Sequence, residues 1–264
     1  MVATVLVFAG LDPSGGAGLA ADIAAIAAMG AHALPVATAL TVQDNERVFD
    51  VAPVDTALVV RQAEALIGRV AIDAVKIGIP GNRANAIAIA ALAGRLRVPV
   101  VLDPVLASGH GDGLSPLAAL EVLLPLASLI TPNVPEAALL AGFAASAGAA
   151  QGAALRARCR GDVLITGGHA LLRDDNQVVN RWYGPGIART WHWPRLPGQF
   201  HGSGCTLAAA VAARLACGDA MAAALDSAQR YTHEALAESF SIAGGQRIPA
   251  RCRAHQRSEL EQFI

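Results

Sequence analysis

Short hydrophobic runs alternate along the chain with longer segments whose apolar residues recur at helical spacing, which predicts alternating strands and helices. The predicted strands are Val2–Phe8, Leu34–Val42, Ala74–Ile77, Val98–Leu102, Ser128–Ile130 and Val163–Thr166. The predicted helices are Gly18–Met29, Asp55–Gly68, Arg83–Leu96, Pro116–Leu124, Pro135–Leu140, Ala149–Cys159, Ser203–Ala216 and Asp219–Phe240. The runs Gln177–Tyr183 and Ile187–Trp193 flank Gly184-Pro185-Gly186, which predicts a β-hairpin.

This alternation predicts an α/β fold with a central, mostly parallel sheet and helices on both faces. Nearly continuous apolar strands such as Val98–Leu102 are typical of strands buried on both sides. No internal repeat or linker divides the sequence, so we expect a single domain over residues 1–264, with the tail after about residue 241 unassigned. Ligands of such sheets bind beyond the carboxyl ends of the strands.

Composition and charge narrow the class of protein. The 264 residues are 54% hydrophobic and carry 20 basic and 21 acidic side chains, for a net charge of −1. This composition excludes intrinsic disorder and offers no basic excess for nucleic acid. Apolar stretches are broken before they reach the roughly 20 residues of a membrane span, and the first residues lack a signal peptide's basic region. We therefore expect a cytoplasmic protein with no membrane partner and with reduced cysteines.

The segment Gly10–Gly18 is rich in glycine, and Gly16 begins a GxGxxA match. A dinucleotide site is disfavoured because Asp12-Pro13-Ser14 separates the strand from the glycines and the next candidate acidic residue, Asp44, comes late. The segment is either a turn that allows close strand–helix packing or a set of amides lining a small-ligand site. Asp22 follows Gly18 by four residues on the same helical face, as a ligand contact or as an exposed carboxylate.

Polar side chains also follow three other predicted strands. Gln43 can both donate and accept, which suits the edge of an aminopyrimidine ring, although alone it is more typical of a loop. Asp103 ends a buried strand, where a carboxylate is costly unless it is paired or near a metal. Glu136 opens a helix, where a capping carboxylate is expected. Together, Asp103 and Glu136 are compatible with a Mg²⁺ site.

The segment His201–Thr206 places small residues at the start of a strongly apolar helix. Three consecutive backbone N–H groups there would point at one spot, which predicts an anion site. A thiol in this position is expected to have a lowered pKa, so Cys205 could act as a general base or polarise a hydroxyl. A small cysteine that only packs at a helix start is an equally weighted interpretation.

The only lysine is Lys76, within the apolar run Val75–Gly78. It follows no glycine loop, so a P-loop is excluded, and the protein-kinase motifs are absent as well. Lys76 either reaches solvent from a strand end or lies near a substrate pocket. A phosphotransferase built on this chain would neutralise phosphate with backbone amides, Mg²⁺ and arginines.

Seven short motifs follow one another along the chain in a characteristic order. They are Gly10–Gly18 with Asp22, Thr38–Leu40 with Gln43, Lys76–Gly78, Asp103–Val105, Thr131–Glu136, Gly167–His169 and His201–Leu207. In order and spacing they resemble the hydroxymethylpyrimidine/phosphomethylpyrimidine kinases of thiamine biosynthesis, over about residues 4–240. This family belongs to the ribokinase-like superfamily, so the resemblance implies a three-layer ribokinase-like fold.

The resemblance implies a homodimeric kinase that uses ATP and Mg²⁺. It would phosphorylate the hydroxymethyl group of 4-amino-5-hydroxymethyl-2-methylpyrimidine, and then the resulting monophosphate. The implied substrate contacts are Gly10, Asp22, Gln43, Ile79 and Val105. The implied anion hole is Gly202, Ser203, Gly204 and Cys205, the implied nucleotide and phosphate contacts are Asn133, Thr166 and Gly168, and the implied metal residues are Asp103 and Glu136.

The chain departs from this family at two positions near the expected nucleotide phosphates. Thr166 stands where the family often has a lysine before its Gly-Gly-His motif, and residues 106–112 lack a lysine or threonine that is often present. An arginine or His110 could supply the missing positive charge. Pyridoxal kinase activity and a pyrimidine-binding protein without turnover are the alternatives, and a dinucleotide-dependent oxidoreductase is the weakest.

Overall fold

The computed structural model describes residues 1–106, 113–142, 148–168 and 176–252. The strands in these ranges are β1 Thr4–Leu11, β2 His32–Gln43, β3 Val48–Pro53, β4 Ala74–Ile77, β5 Val100–Leu102, β6 Leu129–Ile130, β7 Asp162–Ile165, β8 Gln177–Gly184 and β9 Ile187–Pro194. The helices are α1 Gly18–Ala28, α2 Thr56–Ile67, α3 Arg83–Leu96, α4 Leu117–Leu123, α5 Val134–Ala141, α6 Gly148–Arg156, α7 Ser203–Ala216 and α8 Met221–Ala237.

All of these strands join one sheet in the order β3-β2-β1-β4-β5-β6-β7-β8-β9. Neighbouring strands from β2 to β7 run parallel, whereas β3 at one edge and the β8–β9 hairpin at the other are antiparallel to their neighbours. The predicted mostly parallel α/β sheet is therefore confirmed. The parallel strands bring the ends of β1, β4, β5, β6 and β7 to one edge of the sheet.

Helices cover both faces because successive side chains of a strand point to opposite sides. In β1, Leu6 and Phe8 pack into a core with α2 to α6. Val5 and Val7 pack instead into a second core with α1, α7 and α8. The three layers implied by the resemblance are present.

Helix α7 is the most deeply buried helix of the second core, with every residue from Leu207 to Ala213 buried. This confirms the prediction of a buried helix for that apolar segment. Within the described ranges, the structure contains no helix with the length and hydropathy needed to cross a bilayer.

Two segments differ from their predictions. Strand β3 is absent from the predicted strands, because a largely exposed edge strand shows no regular alternation of burial. The segment after α8, left unassigned from the sequence, folds back onto the body of the protein. Phe240 and Ile248 bond each other through their backbones, and Arg247 bridges to Phe200. The predicted hairpin is confirmed, with Gly186 in the left-handed region at φ 69°.

Candidate active site

The N-terminus of α7 separates two cavities. A cavity of about 390 Å³ has Ser203 on its wall, whereas Cys205, two residues later, lines a smaller cavity together with His201. The first turn of this helix therefore faces both cavities at once. An anion held at this N-terminus would be in reach of a ligand in either cavity.

The backbone at the start of α7 is suited to an anion. Gly202 is the N-cap at φ 73°, and a Cβ there would lie 2.0 Å from the carbonyl oxygen of Gly16. Only glycine fits this position. Its carbonyl accepts from the Thr206 N–H at 2.9 Å and from the Thr206 hydroxyl at 2.8 Å. Because glycine brings no capping side chain, the N–H groups of the first turn are available to a ligand.

The smaller cavity combines apolar walls with a few convergent polar groups, the usual make-up of a small-molecule site. It is lined by Ala9, Gly10, Asp12, Ala17, Gly18, Thr41, Gln43, Lys76, Gly78, Ile79, Val105, Leu114, His201 and Cys205. Gly10, Gln43, Ile79 and Val105 are four of the five residues predicted to contact the substrate. A Cβ on Gly10 would lie 2.5 Å from Cδ1 of Ile79, so glycine keeps this wall open.

Asp22, the fifth predicted substrate contact, is not among the lining residues. Its carboxylate is fully buried and accepts from the Lys76 ammonium at 2.9 Å. The interpretation of Asp22 as an exposed carboxylate is wrong, whereas its contact with a ligand stays a prediction. Solvent exposure of the Lys76 ammonium is likewise wrong, because its side chain is fully buried.

Lys76 lies between two buried carboxylates. Its ammonium is 4.0 Å from Oδ2 of Asp103, and both this oxygen and Oδ1 of Asp22 lack a hydrogen-bond partner among the described residues. Burial raises the pKa of Asp22 to about 6, although Lys76 opposes the rise. Burial alone would lower the pKa of Lys76, but Asp22 and Asp103 raise it above its usual value. The only lysine is therefore a buried cation between acids rather than a free phosphate ligand.

The Cys205 thiol has the opposite pKa shift from the one predicted. Burial raises its pKa to about 12, and the negative charges of Asp103 and Asp22 add to the rise while Lys76 opposes it. The predicted lowering assumed that the helix N-terminus would dominate, and desolvation outweighs it here. The thiol is protonated near neutral pH, and its interaction with Asp103 lowers the pKa of that carboxyl against the rise caused by burial.

Glu136 and Asn133 form a capping box at the start of α5. The Glu136 N–H donates to Asn133 Oδ1 at 2.9 Å, and the Asn133 N–H donates to Glu136 Oε2 at 2.9 Å. Burial, together with the charge of Asp103, raises the pKa of Glu136 to about 8. Asn133 also bridges to Thr166 at the end of β7, so two predicted phosphate contacts are neighbours.

The residues present fit a divalent cation. Asp103 has a buried, unpartnered carboxylate oxygen, and its charge raises the pKa of Glu136. A cation near both groups would relieve this repulsion. In the described ranges no three His, Cys, Asp or Glu side chains converge as a metal cluster. A carboxylate pair is nevertheless sufficient for Mg²⁺, which is commonly bound by one or two carboxylates plus substrate phosphates.

The larger cavity lies between the β8–β9 hairpin and α8, and its volume is in the range typical of small-molecule sites. Gly168, a predicted nucleotide contact, is on its wall, and Arg195 donates to the Gly168 carbonyl at 3.3 Å. Trp193 and His233 lie together on the same wall, with ring centroids 5.0 Å apart. His110 and His169 lie outside the described residues.

Three residues near the site were not predicted from the sequence. Asp12 accepts from the Ser14 and Ala17 N–H groups at 2.8 and 2.7 Å, and pairs with Nε2 of His201 at 2.8 Å. Asp12 had been noted only as an interruption before the glycines; its position in an Asx turn was the available signal. His201 belongs to a predicted motif, but the sequence indicated no role for it. Arg251 reaches the start of α7 from the tail, and no local pattern marks it.

The chain is similar to known proteins both in sequence and in structure. Residues 12–249 match the family model described as phosphomethylpyrimidine kinase. A hydroxymethylpyrimidine/phosphomethylpyrimidine kinase of Mycobacterium tuberculosis is 38% identical, covering 91% of this chain and 90% of that protein. The structure is similar to that of Bacillus subtilis pyridoxal kinase in an ADP complex, with a TM-score of 0.86 and 28% identity over 95% of this chain and 98% of that one.

A phosphomethylpyrimidine kinase from Clostridium difficile is also similar, with a TM-score of 0.76 and 30% identity over 88% of this chain and 99% of that one. The fold is thus the ribokinase-like α/β fold. The family match, which covers most of the glycine loop, most of the lining of both cavities and the start of α7, identifies the chain as a phosphotransferase. This chain belongs to the phosphomethylpyrimidine kinase family.

Proposed function

We propose that this protein transfers the γ-phosphoryl group of ATP to the hydroxymethyl group of 4-amino-5-hydroxymethyl-2-methylpyrimidine, and then phosphorylates the monophosphate. The observation that carries this proposal is the N-terminus of α7 between two cavities. One cavity can hold the acceptor and the other the nucleotide, so the transferred group passes the free N–H groups of the first turn. Such preorganised donors stabilise the charge that develops in phosphoryl transfer.

The smaller cavity suits the pyrimidine. Ile79 and Val105 offer apolar surface to a flat ring, and the lack of a side chain at Gly10 leaves this part of the wall open beside Ile79. Gln43 carries both a donor and an acceptor, which match the amino group and the neighbouring ring nitrogen of an aminopyrimidine. The hydroxymethyl group would then face Cys205 at the start of α7.

The acceptor alcohol must lose a proton during the transfer. Its route has to be compatible with the raised pKa of Cys205, which keeps the thiol protonated. A protonated thiol is a poor base, but the Asp103 carboxylate, with which it interacts, can take up its proton. We propose that Sγ of Cys205 accepts the alcohol proton while the thiol proton passes to the Asp103 carboxylate. The alcohol oxygen keeps the electron pair of its O–H bond and attacks phosphorus, and the leaving ADP keeps the electrons of the broken P–O bond.

Asp103 and Glu136 are the residues that would hold Mg²⁺. When bound, the cation neutralises charge on the nucleotide phosphates and on the transferred group. The capping box fixes Glu136 before any ligand arrives, because Asn133 and Glu136 hold each other. Asn133 and Thr166 would face the nucleotide phosphates from the ends of β6 and β7.

The larger cavity would hold ATP, in agreement with the ADP complex of the similar Bacillus subtilis kinase. Arg195 brings positive charge to the same wall as Gly168. It could compensate for Thr166, two residues before Gly168, which stands where the family often has a lysine. We expect Arg195→Ala to raise KM for ATP about 10- to 100-fold, because one charge-assisted contact is worth roughly 1.5–3 kcal/mol. Steady-state kinetics at saturating acceptor measures this, and KM for the pyrimidine should not move.

Arg189 provides a matched control, because it lies in β9, which ends just before Arg195, but pairs with Asp226 outside both cavities. Arg189→Ala should leave KM for ATP near the wild-type value. Equal increases in the two variants would remove Arg195 from the nucleotide site.

Pyridoxal is a second candidate acceptor, favoured by the high structural similarity to a pyridoxal kinase. Both substrates are flat nitrogen heterocycles with a hydroxymethyl group, so the reaction would be the same. The ratio of kcat/KM for the pyrimidine alcohol to that for pyridoxal separates the two candidates. We expect the ratio to exceed about 10, since unmatched polar groups are costly; a ratio below one would reassign the substrate.

We also propose that the protein is a homodimer whose second copy covers the outer face of β2 and β1. Leu11 and Leu40 are register partners with exposed fractions of 44% and 51%, and Val42 on the same face is 56% exposed. Such an apolar patch is typical of an interface. Sedimentation should give twice the 26.9 kDa chain mass.

Leu40→Glu should shift this mass toward the monomer. Leu139→Glu is the control, because Leu139 is 65% exposed on α5 away from the patch. A wild-type protein that sediments as a monomer would contradict the proposed dimer.

A further inference from the structure

Arg251 is a buried arginine, 6% exposed, that connects the glycine loop to the start of α7. Its Nε donates to the Thr206 hydroxyl at 2.9 Å, and its Nη2 donates to the carbonyl of Gly202 at 3.5 Å. The same guanidinium donates to the carbonyls of Gly15, at 3.4 Å, and Gly16. One side chain thus binds both the glycine loop and the start of α7.

None of these four acceptors is charged. The described part of the chain contains no salt bridge to Arg251, although isolated buried charges are costly and usually paired. Lys76 differs in this respect, since its charge is taken up by Asp22 and Asp103. Asp22 and Asp12 interact with Arg251 only beyond ion-pair distance, so its positive charge also acts on an anion at the start of α7.

Arg251 is itself anchored from the opposite side. The Tyr231 hydroxyl donates to the Arg251 carbonyl at 2.8 Å, and the Ala250 N–H donates to the carbonyl of Ala235 at 2.9 Å. Both anchors belong to α8, which also lines the larger cavity. The guanidinium is accordingly fixed relative to both the nucleotide cavity and the helix that would bind phosphate.

We propose that Arg251 is a positioning residue for phosphoryl transfer, which holds the glycine loop against the α7 N-terminus and adds positive charge behind it. This inference rests on the proposed function. It also explains how the transferred phosphoryl group is stabilised in a chain whose only lysine already pairs with two carboxylates. The charge acts through α7, so its effect should be larger on the transition state than on bound ADP.

The test compares Arg251→Gln with Arg251→Lys and with the control Arg247→Gln. Arg247 lies in the same tail segment, but its side chain bonds Ser239. We expect Arg251→Gln to lower kcat about 10- to 100-fold, somewhat less than the loss of a direct oxyanion donor. Lysine keeps the charge without the fork, so Arg251→Lys should retain a larger share of kcat. Arg247→Gln should stay near wild type.

A second readout separates positioning from general damage. Binding of ADP with aluminium fluoride, Mg²⁺ and the pyrimidine alcohol mimics the transition state, whereas ADP with Mg²⁺ alone mimics the ground state. We expect Arg251→Gln to weaken the fluoride complex at least about 10-fold and ADP alone by less than about threefold. Trp193, on the wall of the larger cavity, provides a fluorescence signal for both titrations.

Parallel loss of both affinities, or a kcat of Arg251→Gln within about threefold of wild type, would overturn the inference. If Arg251→Gln does not fold, Arg251→Lys carries the same test: selective weakening of the fluoride complex supports the inference and parallel weakening overturns it. Failure of the proposed function looks different, because the wild-type protein itself would then show no fluoride complex with the alcohol.

Discussion

Replacing Cys205 by alanine is expected to lower kcat about 10²- to 10⁴-fold, the usual contribution of a group that moves a proton in the transition state. Alanine removes Sγ, so the alcohol loses its route to Asp103, while the N–H groups of the α7 first turn remain. KM for the pyrimidine should change much less than kcat, since Ile79, Val105 and Gln43 are untouched. Steady-state kinetics at saturating ATP and acceptor measures both quantities.

Two further variants sharpen this result. Cys205→Ser keeps a hydroxyl that can hydrogen-bond Asp103, so it should fall between wild type and alanine. Cys217→Ala is the matched control, because Cys217 is the C-cap at the opposite end of α7 and is exposed. A Cys205→Ala protein with kcat within about threefold of wild type would remove Cys205 from the proton path.

Replacing Lys76 by methionine is expected to lower the free energy of unfolding by about 3–5 kcal/mol, the cost of removing one partner from a buried ion pair. Methionine approximates the length of the lysine side chain, so little volume is lost. Asp22 and Asp103 would then be two buried carboxylates without the cation between them. Urea unfolding of the variant and the wild type at the same pH gives the difference.

A surface ion pair and a double variant are the controls for this prediction. Arg95→Met breaks the exposed pair with Glu64, which should cost no more than about 1 kcal/mol. Combining Lys76→Met with Asp22→Asn should recover part of the loss, because it removes a carboxylate along with the cation. A Lys76→Met protein as stable as Arg95→Met would contradict the view that this buried lysine is structural.

The fold was largely predictable because its determinants are local. Burial on both faces makes strands such as β1 and β5 continuously apolar, and Gly30 marks the end of α1 with a positive φ. Strand β3 escaped prediction because pairing with β2, rather than its own alternation, defines it. The tail segment likewise takes its form from contacts with residues distant in sequence.

The site was predictable only as a set of positions. A strand end indicated Gln43, a helix start indicated Cys205, and the family resemblance implied Ile79 and Val105; the structure places all four around one cavity. What the sequence could not give was the balance of burial against charge. Desolvation raises the pKa of Cys205 and also that of Asp22, which pairs with Lys76. Neither pKa can be predicted before the depth of the group in the protein is known. Arg251 depends on a contact across 45 residues with Thr206.

The most direct test of the account is ADP release by the purified protein, followed in a coupled assay with ATP and Mg²⁺. The first acceptor is 4-amino-5-hydroxymethyl-2-methylpyrimidine, and the second is its monophosphate. The account predicts one equivalent of ADP per acceptor molecule in each case, and none when a chelator removes Mg²⁺. Absence of acceptor-dependent ADP release with the pyrimidine alcohol would contradict it.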